Sequence, residues 1–331
     1  MMSGSRAVLR RLAGAPVVVE GQTLDVQAQV MLAAIRRMGI GQPEDVETAR
    51  HQADTDVDAV APHAPTMATE RDVLVPGPSA PMRARVYGPR TAHGTPGMLV
   101  YFHGGGFVTG SITSHDAPIK VLAHESGVVI AAIEYRLGPE AKFPAAIDDA
   151  LAAYAWARAH AQDFGASRER VGVGGDSAGG NIAAVICHLA RDAEHLEPPA
   201  HQLLIYPAID WSRSCKSHET FATGLFLEEA RTFWYERHYL NRIEERDDPR
   251  ASPIRFRDFS GLPPATVVTA GFDILRDEGR LYAEALERAK TPVDYCCEAS
   301  LVHGFFNMSG VIDAARAANS RIAVRLRDAL G

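Results

Sequence analysis

Two glycine-rich strings constrain the fold of this chain more than any other feature of its sequence. The first is His103-Gly-Gly-Gly106, and the second is Gly175-Asp-Ser-Ala-Gly179, which has the form G-x-S-x-G. An apolar, strand-like run precedes each string, and a small apolar stretch with helical spacing, Ala178–Ala190, follows the second. We therefore expect Ser177 to lie on a tight strand-to-helix turn, where glycine lets the backbones approach closely. A plain flexible loop over Gly174–Gly180 is the alternative interpretation.

Together the two strings predict a nucleophile and the groups that stabilise an oxyanion. A serine on such a turn has an exposed hydroxyl, and a glycine loop of the first type presents converging backbone N–H groups. We expect Ser177 to attack an ester carbonyl, and the amides of Gly104, Gly105 and Ala178 to bind the resulting oxyanion. Gly106 stays open as an alternative to one of the two loop glycines, because the sequence does not fix the orientation of the loop.

A serine hydroxyl needs a general base and an acid that orients this base. In this architecture they follow the serine in the order Asp or Glu, then His. Asp273 lies just beyond the apolar run Pro264–Ala270, which predicts a buried strand, and His303 follows the next such run. Catalytic groups collect at the C-terminal ends of strands in open α/β sheets, so we assign Asp273 as the acid and His303 as the base. Asp277 stays open as a second candidate for the acid, and a surface-loop histidine is the alternative for His303.

These motifs resemble those of the bacterial hormone-sensitive-lipase family of α/β-hydrolases. The likeness runs from about residue 70 to the C-terminus and covers the HGGG loop, the terminal His303-Gly-Phe and the strings Gly175–Gly180, Asp273–Glu278, Tyr135–Glu140 and Phe143–Ala146. Gly138 stands where the family usually has Ala, and Glu134 where Asp often precedes the tyrosine, but neither position belongs to the candidate catalytic residues. The resemblance implies a serine carboxylesterase that works through an acyl-enzyme on Ser177, with no metal or organic cofactor.

The order of apolar runs predicts an α/β class, here the α/β-hydrolase fold with a mostly parallel eight-stranded sheet wrapped by helices. We treat residues 1–331 as a single domain. Strands are expected near Val73–Val75, Arg83–Tyr87, Leu99–Phe102, Val128–Glu134, Val171–Gly174, Leu203–Tyr206, Thr266–Thr269 and Val293–Glu298. The clearest helical runs are Ala145–His160, Asn181–Ala193, Leu275–Lys290 and Val311–Ala329.

Two segments depart from this alternation. Residues 1–50 contain an amphipathic stretch, Val26–Met38, and a polar linker is expected over Gln42–Thr69. The segment 210–263 is too long for a loop between a helix and a strand, and it includes a helical, aromatic run, Leu227–Leu240. The resemblance implies that residues 1–50 and 210–263 form a helical cap over the active site. The aromatic side chains on one face of this run are Phe233, Trp234, His238 and Tyr239. We expect most of them to pack the cap onto the body and one or two to line the acyl pocket.

Composition limits the partners and the location of the chain. The formal net charge is −7 and the pI is about 6.0, which argues against a nucleic-acid partner. No run approaches the ~20 apolar residues of a membrane span. The four cysteines lack the spacing of zinc ligands or of a disulfide framework, and Arg10–Val19 is a poor signal peptide because its apolar part is short and contains Pro16. We therefore expect a cytoplasmic protein that acts on a small-molecule ester, with secretion left open as the alternative location. A homodimer fits the sequence, which leaves the quaternary state open.

Other classes of this architecture fit the residues less well. A dehalogenase or epoxide hydrolase needs a carboxylate where Ser177 stands, and the first hundred residues do not resemble the recognition domain of a serine peptidase. The plant gibberellin receptors resemble the same family but have lost the base, whereas His303 is present here. Because a cap closes the acyl pocket, we expect short-chain esters rather than emulsified lipid as substrates.

Overall fold

A computed structural model of the chain describes residues 6–38, 44–92 and 94–331; the parts of the expected cap and linker at residues 1–5 and 39–43 lie outside this range. The strands are β1 (Val18–Val19), β2 (Gln22–Thr23), β3 (Thr69–Val75), β4 (Met82–Gly88), β5 (Met98–Phe102), β6 (Val129–Ile133), β7 (Val171–Asp176), β8 (Gln202–Ile205), β9 (Ala265–Phe272) and β10 (Val293–Val302). The helices are α1 (Arg6–Ala13), α2 (Val26–Arg37), α3 (Val46–Thr55), α4 (Ile112–Ser126), α5 (Ala145–His160), α6 (Ala178–Asp192), α7 (Lys216–Thr220), α8 (Glu229–Tyr239), α9 (Arg276–Arg288) and α10 (Asp313–Leu330). Short 3₁₀ turns lie at Asp56–Ala59, Ala161–Phe164, Ile243–Asp247, Pro253–Arg255 and Phe305–Met308.

Eight strands form one sheet in the order β10-β9-β8-β7-β5-β6-β4-β3. β4 pairs antiparallel with both of its neighbours, β6 and β3, and every other pair in the sheet is parallel. The predicted fold class, a mostly parallel eight-stranded sheet wrapped by helices, is confirmed. β1 and β2 pair separately as a short antiparallel ribbon.

The central strand β5 shows why helices must cover both faces of the sheet. All five of its side chains are buried, and successive side chains point to opposite faces. Val100 and Phe102 pack in the cluster that contains residues of α5, α6 and α9, whereas Leu99 and Tyr101 pack in the cluster that contains residues of α2, α4 and α10. A strand that is apolar at every position is typical of a parallel sheet with two covered faces.

Since β5, β7, β9 and β10 run in the same direction, their C-terminal ends meet at one edge of the sheet. The HGGG string follows β5, and Ser177 follows β7. Asp273 directly follows β9, and His303 directly follows β10. This edge therefore collects all the groups that the sequence analysis assigned to the chemistry.

The predicted linker over Gln42–Thr69 is wrong for its central part, because α3 and a 3₁₀ turn occupy residues 46–59. α3 begins where the Asp45 side chain accepts a hydrogen bond from the amide of Thr48 at 2.7 Å, a favourable N-terminal cap. α4 was not among the helices predicted most clearly. It contains the buried Pro118, which interrupts the usual pattern of a helix.

Candidate active site

Ser177 lies on a tight turn between β7 and α6. Its backbone has φ of 53° and ψ of −116°, a conformation that side chains with a Cβ rarely adopt. The flanking glycines are required by space, because a Cβ on either Gly175 or Gly179 would collide with the carbonyl oxygen of Phe102 in β5. The turn thus presses α6 against the sheet and projects the Ser177 hydroxyl away from both elements.

The structure brings Ser177, His303 and Asp273 into one hydrogen-bonded chain. The Nε2 atom of His303 lies 2.9 Å from Oγ of Ser177, and its Nδ1 atom lies 2.8 Å from Oδ2 of Asp273. The other oxygen of Asp273 accepts from the amide of Leu275 at 2.9 Å. Asp273 is 1% exposed and His303 is 7% exposed, so the acid is fixed in the interior while the imidazole reaches the cavity edge.

The alternative acid, Asp277, has other partners. Its carboxylate pairs with the guanidinium of Arg276 at 2.8 Å and accepts from the amide of Ser217 at 3.0 Å. These contacts tie α7 to the first turn of α9. The structure therefore gives Asp277 a role in joining the two helices.

The glycine loop after β5 is oriented differently from the first expectation. The N–H of Gly104 donates to Oδ1 of Asp176 at 2.9 Å, so it is not available to an oxyanion. The amides of Gly105 and Gly106 have no acceptor within the parts of the chain that the structure describes, and the amide of Ala178, at the first turn of α6, has no intrahelical acceptor. Gly106, the alternative in the sequence analysis, thus replaces Gly104 among the candidate donors. We call Gly104–Gly106 the oxyanion loop.

His103, at the start of this loop, holds the backbone. Its ring stacks on Tyr135 with centroids 4.4 Å apart, and its Nδ1 atom lies 2.8 Å from the carbonyl oxygen of Gly104. Burial, with a contribution from the nearby His115, lowers the pKa of His103 to about 3. A histidine that stays neutral at every moderate pH is suited to bracing the loop.

A cavity of about 880 Å³ opens onto Ser177. Its walls come from α2 and α3 on one side and from residues of the 210–263 insertion on the other, and its apolar lining includes Met31, Ile35, Val60, Leu227, Tyr235 and Met308. The volume lies within the usual range for pockets that hold small molecules.

The aromatic side chains of α8 divide between packing and lining. Tyr239 stacks on Phe107 with centroids 3.9 Å apart, and the indole N–H of Trp234 donates to the carbonyl oxygen of Glu44 at 3.0 Å. Phe233 is 42% exposed and does not line the cavity. Tyr235, which the sequence analysis did not single out, lies against Gly106 closely enough that a Cβ there would collide with its ring.

Within the described residues, no cluster of three His, Cys, Asp or Glu side chains is placed to hold a metal ion. In the same part of the chain, no helix is both long and apolar enough to span a membrane.

Comparisons with known proteins show which family and fold this chain resembles. A family model described as alpha/beta hydrolase fold matches residues 99–307. The carboxylic ester hydrolase LipN of Mycobacterium tuberculosis is 39% identical over 322 residues, which cover 95% of this chain and 85% of LipN. The ethyl acetate hydrolase of Pseudomonas putida is 36% identical over 217 residues, or 66% of this chain and 68% of that protein. The crystal structure of EstE1, a thermostable carboxylesterase from a metagenomic library, superposes with a TM-score of 0.81 at 38% identity and covers 87% of this chain and 98% of EstE1.

Proposed function

Since the chain belongs to the hormone-sensitive-lipase-like carboxylesterases of the alpha/beta-hydrolase fold, and is a carboxylic ester hydrolase, we propose that Ser177 is its nucleophile, His303 its general base and Asp273 the acid that orients His303. The observation that carries the proposal is the continuous hydrogen-bonded chain from Asp273 through His303 to Oγ of Ser177. Nucleophile and base lie within the reach that proton transfer requires.

The reaction follows from these positions. His303 takes the proton of Ser177 as Oγ attacks the ester carbonyl, and Asp273 stabilises the imidazolium that forms. His303 then gives the proton to the leaving alcohol, and an acyl-enzyme remains on Ser177. Water, deprotonated by the same imidazole, attacks the acyl-enzyme and releases the carboxylic acid.

The oxyanion of each tetrahedral intermediate binds the amides of Gly105, Gly106 and Ala178. Support comes from the commitment of Gly104 to Asp176, which leaves the next two loop amides for the substrate. Each such donor contributes roughly 2.7–4 kcal/mol of transition-state stabilisation in comparable enzymes.

We further propose that α2, α3 and the insertion 210–263 act as the cap, and that the enzyme prefers short-chain esters. Support comes from the cavity of about 880 Å³ that these elements bound and from the relative named ethyl acetate hydrolase. In this proposal the chain is one domain, and its cap and its body both line the cavity.

The proposal is tested with Ser177→Ala, Asp273→Asn and His303→Ala. Each should lower turnover of a p-nitrophenyl ester by ~10⁴-fold or more with the fold retained, as judged by circular dichroism. Asp277→Asn and His238→Ala are the matched controls and should keep near-native turnover. If His303→Ala retained activity, the assignment of the base would fail, and His115, His124 and His238 would be tested next.

Covalent labelling separates an enzyme from a binding protein of the same fold. An organophosphonate should modify Ser177 in the native protein and leave Ser177→Ala unmodified, as read by intact-mass spectrometry. A native protein that takes no label would contradict a catalytic serine.

A further inference from the structure

The carboxylate of Asp176 lies between the nucleophile and the oxyanion loop. Asp176 directly precedes Ser177 and is only 3% exposed. Its Oδ1 atom accepts from the amide of Gly104 and from the hydroxyl of Tyr101, each at 2.9 Å. Its Oδ2 atom lies 3.4 Å from the hydroxyl of Tyr206 at the end of β8. One side chain therefore joins the oxyanion loop to β5 and β8.

His115, from α4, contacts the same carboxylate. Its Nε2 atom lies 3.3 Å from Oδ1 and 3.4 Å from Oδ2 of Asp176, and its Nδ1 atom lies 2.9 Å from Oγ of Ser114. Nε2 also lies 3.2 Å from the side-chain amide of Asn307, in the turn just after His303. The Asp176–His115 pair thus reaches from the oxyanion loop to the segment that carries the proposed base.

The charge of Asp176 suits this set of donors. Burial opposes its ionisation, but the interaction and hydrogen bond with His115, together with the donors Tyr101 and Gly104, outweigh burial and hold the pKa of Asp176 below the usual value. An ionised carboxylate accepts several hydrogen bonds at once, and these are stronger than bonds between neutral groups. An asparagine there would present an NH₂ group to donors, which leaves at least one of them unpaired.

The contact also leaves the loop little freedom. A Cβ on Gly104 would collide with Oδ2 of Asp176, so the loop backbone lies directly against the carboxylate. The position of Gly104 in turn sets where the next two amides lie. An error of about 1 Å in such groups can reduce a rate by roughly 10²-fold.

We propose that Asp176 is a positioning residue for ester hydrolysis: it holds the oxyanion loop through the amide of Gly104, with His115 as its paired side chain, so that the amides of Gly105 and Gly106 meet the developing oxyanion. This inference rests on the proposed function of Ser177 and of the loop.

The first test is Asp176→Asn. Because the oxyanion contacts strengthen in the transition state, kcat should fall on the order of 10²-fold while KM stays near its native value. The rate at which a phosphonate labels Ser177 should fall by a similar factor, since that reaction passes through a similar charged state. If Asp176 had a purely structural role, the substitution would lower the melting temperature but would not lower kcat selectively at an unchanged KM.

Asp149→Asn is the matched control. Asp149 is as deeply buried, at 2% exposed, and pairs with Arg136 at 2.8 Å on another part of the body. Its substitution should lower stability and leave kcat unchanged. If Asp176→Asn gave the same kcat as Asp149→Asn, or raised KM with kcat unchanged, the inference would be overturned.

Three milder variants keep the test decisive if Asp176→Asn does not fold. His115→Gln retains a donor near the position of Nε2 and should lower kcat less than His115→Leu. Tyr101→Phe keeps the ring but removes one donor, and should lower kcat by a smaller factor in the same direction. Equal kcat in both His115 variants and the native protein would count against the role of the pair. Activity retained in Ser177→Ala would instead show failure of the proposed function itself.

Discussion

At the scale of single residues, the conformation of Ser177 has an energetic consequence. A residue with a Cβ at φ of 53° and ψ of −116° is held in a sparsely populated region, which typically costs about 1–3 kcal/mol. The close packing of β5, β7 and α6 supplies the energy that keeps it there. The strain is what projects the hydroxyl toward His303.

Ser177→Gly should therefore be inactive yet more stable than Ser177→Ala. Glycine relieves the strain, but it lowers stability by about 0.5–1 kcal/mol because the unfolded chain gains entropy. We therefore expect Ser177→Gly to be more stable than Ser177→Ala by roughly 1 kcal/mol. Urea unfolding of the two variants measures the difference. A glycine variant that is less stable than the alanine variant would show that the turn stores no strain at this position.

The candidate site could be predicted from sequence where local patterns decide it. The chain order of Ser177, Asp273 and His303, each at the end of an apolar run, is enough to propose them, and their catalytic roles stay predictions until variants are measured. The oxyanion loop could not be oriented in this way. The choice between Gly104 and Gly106 depends on a hydrogen bond to Asp176, 72 residues away in the sequence, and no local pattern records it.

At the scale of elements, a buried group of charges organises the 210–263 insertion. The carboxylate of Glu236, in α8, pairs with the guanidinium groups of Arg213 and Arg246, and Glu236 and Arg213 are each 8% to 10% exposed at the side chain. Burial opposes the ionisation of Glu236, but the hydrogen bonds from Arg246 and Arg213 outweigh it and lower its pKa. Three parts of the insertion are joined at this carboxylate.

Glu236→Gln should loosen the insertion while the body stays folded. Removing one partner of a buried ion pair costs about 3–5 kcal/mol, because the other charges remain buried and unpaired. Limited proteolysis should then cut within residues 210–263 faster than in the native protein. Glu284→Gln, at an exposed pair with Arg280, is the matched control and should leave the cleavage rate unchanged; equal rates in both variants would contradict the role of Glu236.

The elements themselves were predicted unevenly, for physical reasons. α5 has the predicted bounds, since its alanine-rich run combines high helix propensity with a buried apolar face. α3 lies in a stretch expected to be a linker, and the sequence signal there was weak because only Ala49 of this helix is buried. β9 extends to Phe272, beyond the predicted Thr269, because the paired strand β10 continues the ladder.

At the scale of the whole molecule, buried histidines connect stability to pH. Burial is the main cause that lowers the pKa of three histidines: to about 3 for His103 and His188, and to about 4 for His201. In the unfolded chain a histidine takes up a proton below about pH 6.5. The unfolded state therefore binds more protons than the folded state between about pH 6.5 and 4, and stability falls as the pH falls through this window.

The variant His188→Phe tests this linkage. Its ring stacks on Phe256 with centroids 3.9 Å apart, so phenylalanine can keep the stacking. One histidine that stays neutral in the folded state lowers the free energy of unfolding by about 1.4 kcal/mol for each pH unit below 6.5. Between pH 7 and pH 5 this amounts to a loss of about 2 kcal/mol. Urea unfolding at pH 7 and pH 5 should show that His188→Phe loses about 2 kcal/mol less stability than the native protein over this range. The control variant His195→Gln, at an exposed position, should lose as much stability as the native protein. An unchanged pH dependence in His188→Phe would contradict the linkage.

The same whole-molecule arrangement limits which esters reach Ser177. The substrate must fit in a cavity of about 880 Å³ bounded by α2, α3 and the insertion, a volume typical of pockets for small ligands. A long-chain triglyceride carries three extended acyl chains and cannot enter it whole, whereas a dissolved short-chain ester fits beside Ser177 without any movement of these elements. We therefore expect p-nitrophenyl esters of short acids to give the highest kcat/KM, and the rate on triglycerides to show no increase as their concentration passes the solubility limit. A sharp rise in rate on the emulsion, with weak activity on dissolved esters, would mean that α2, α3 and the insertion move apart at an interface and that the volume of this cavity does not set the substrate range.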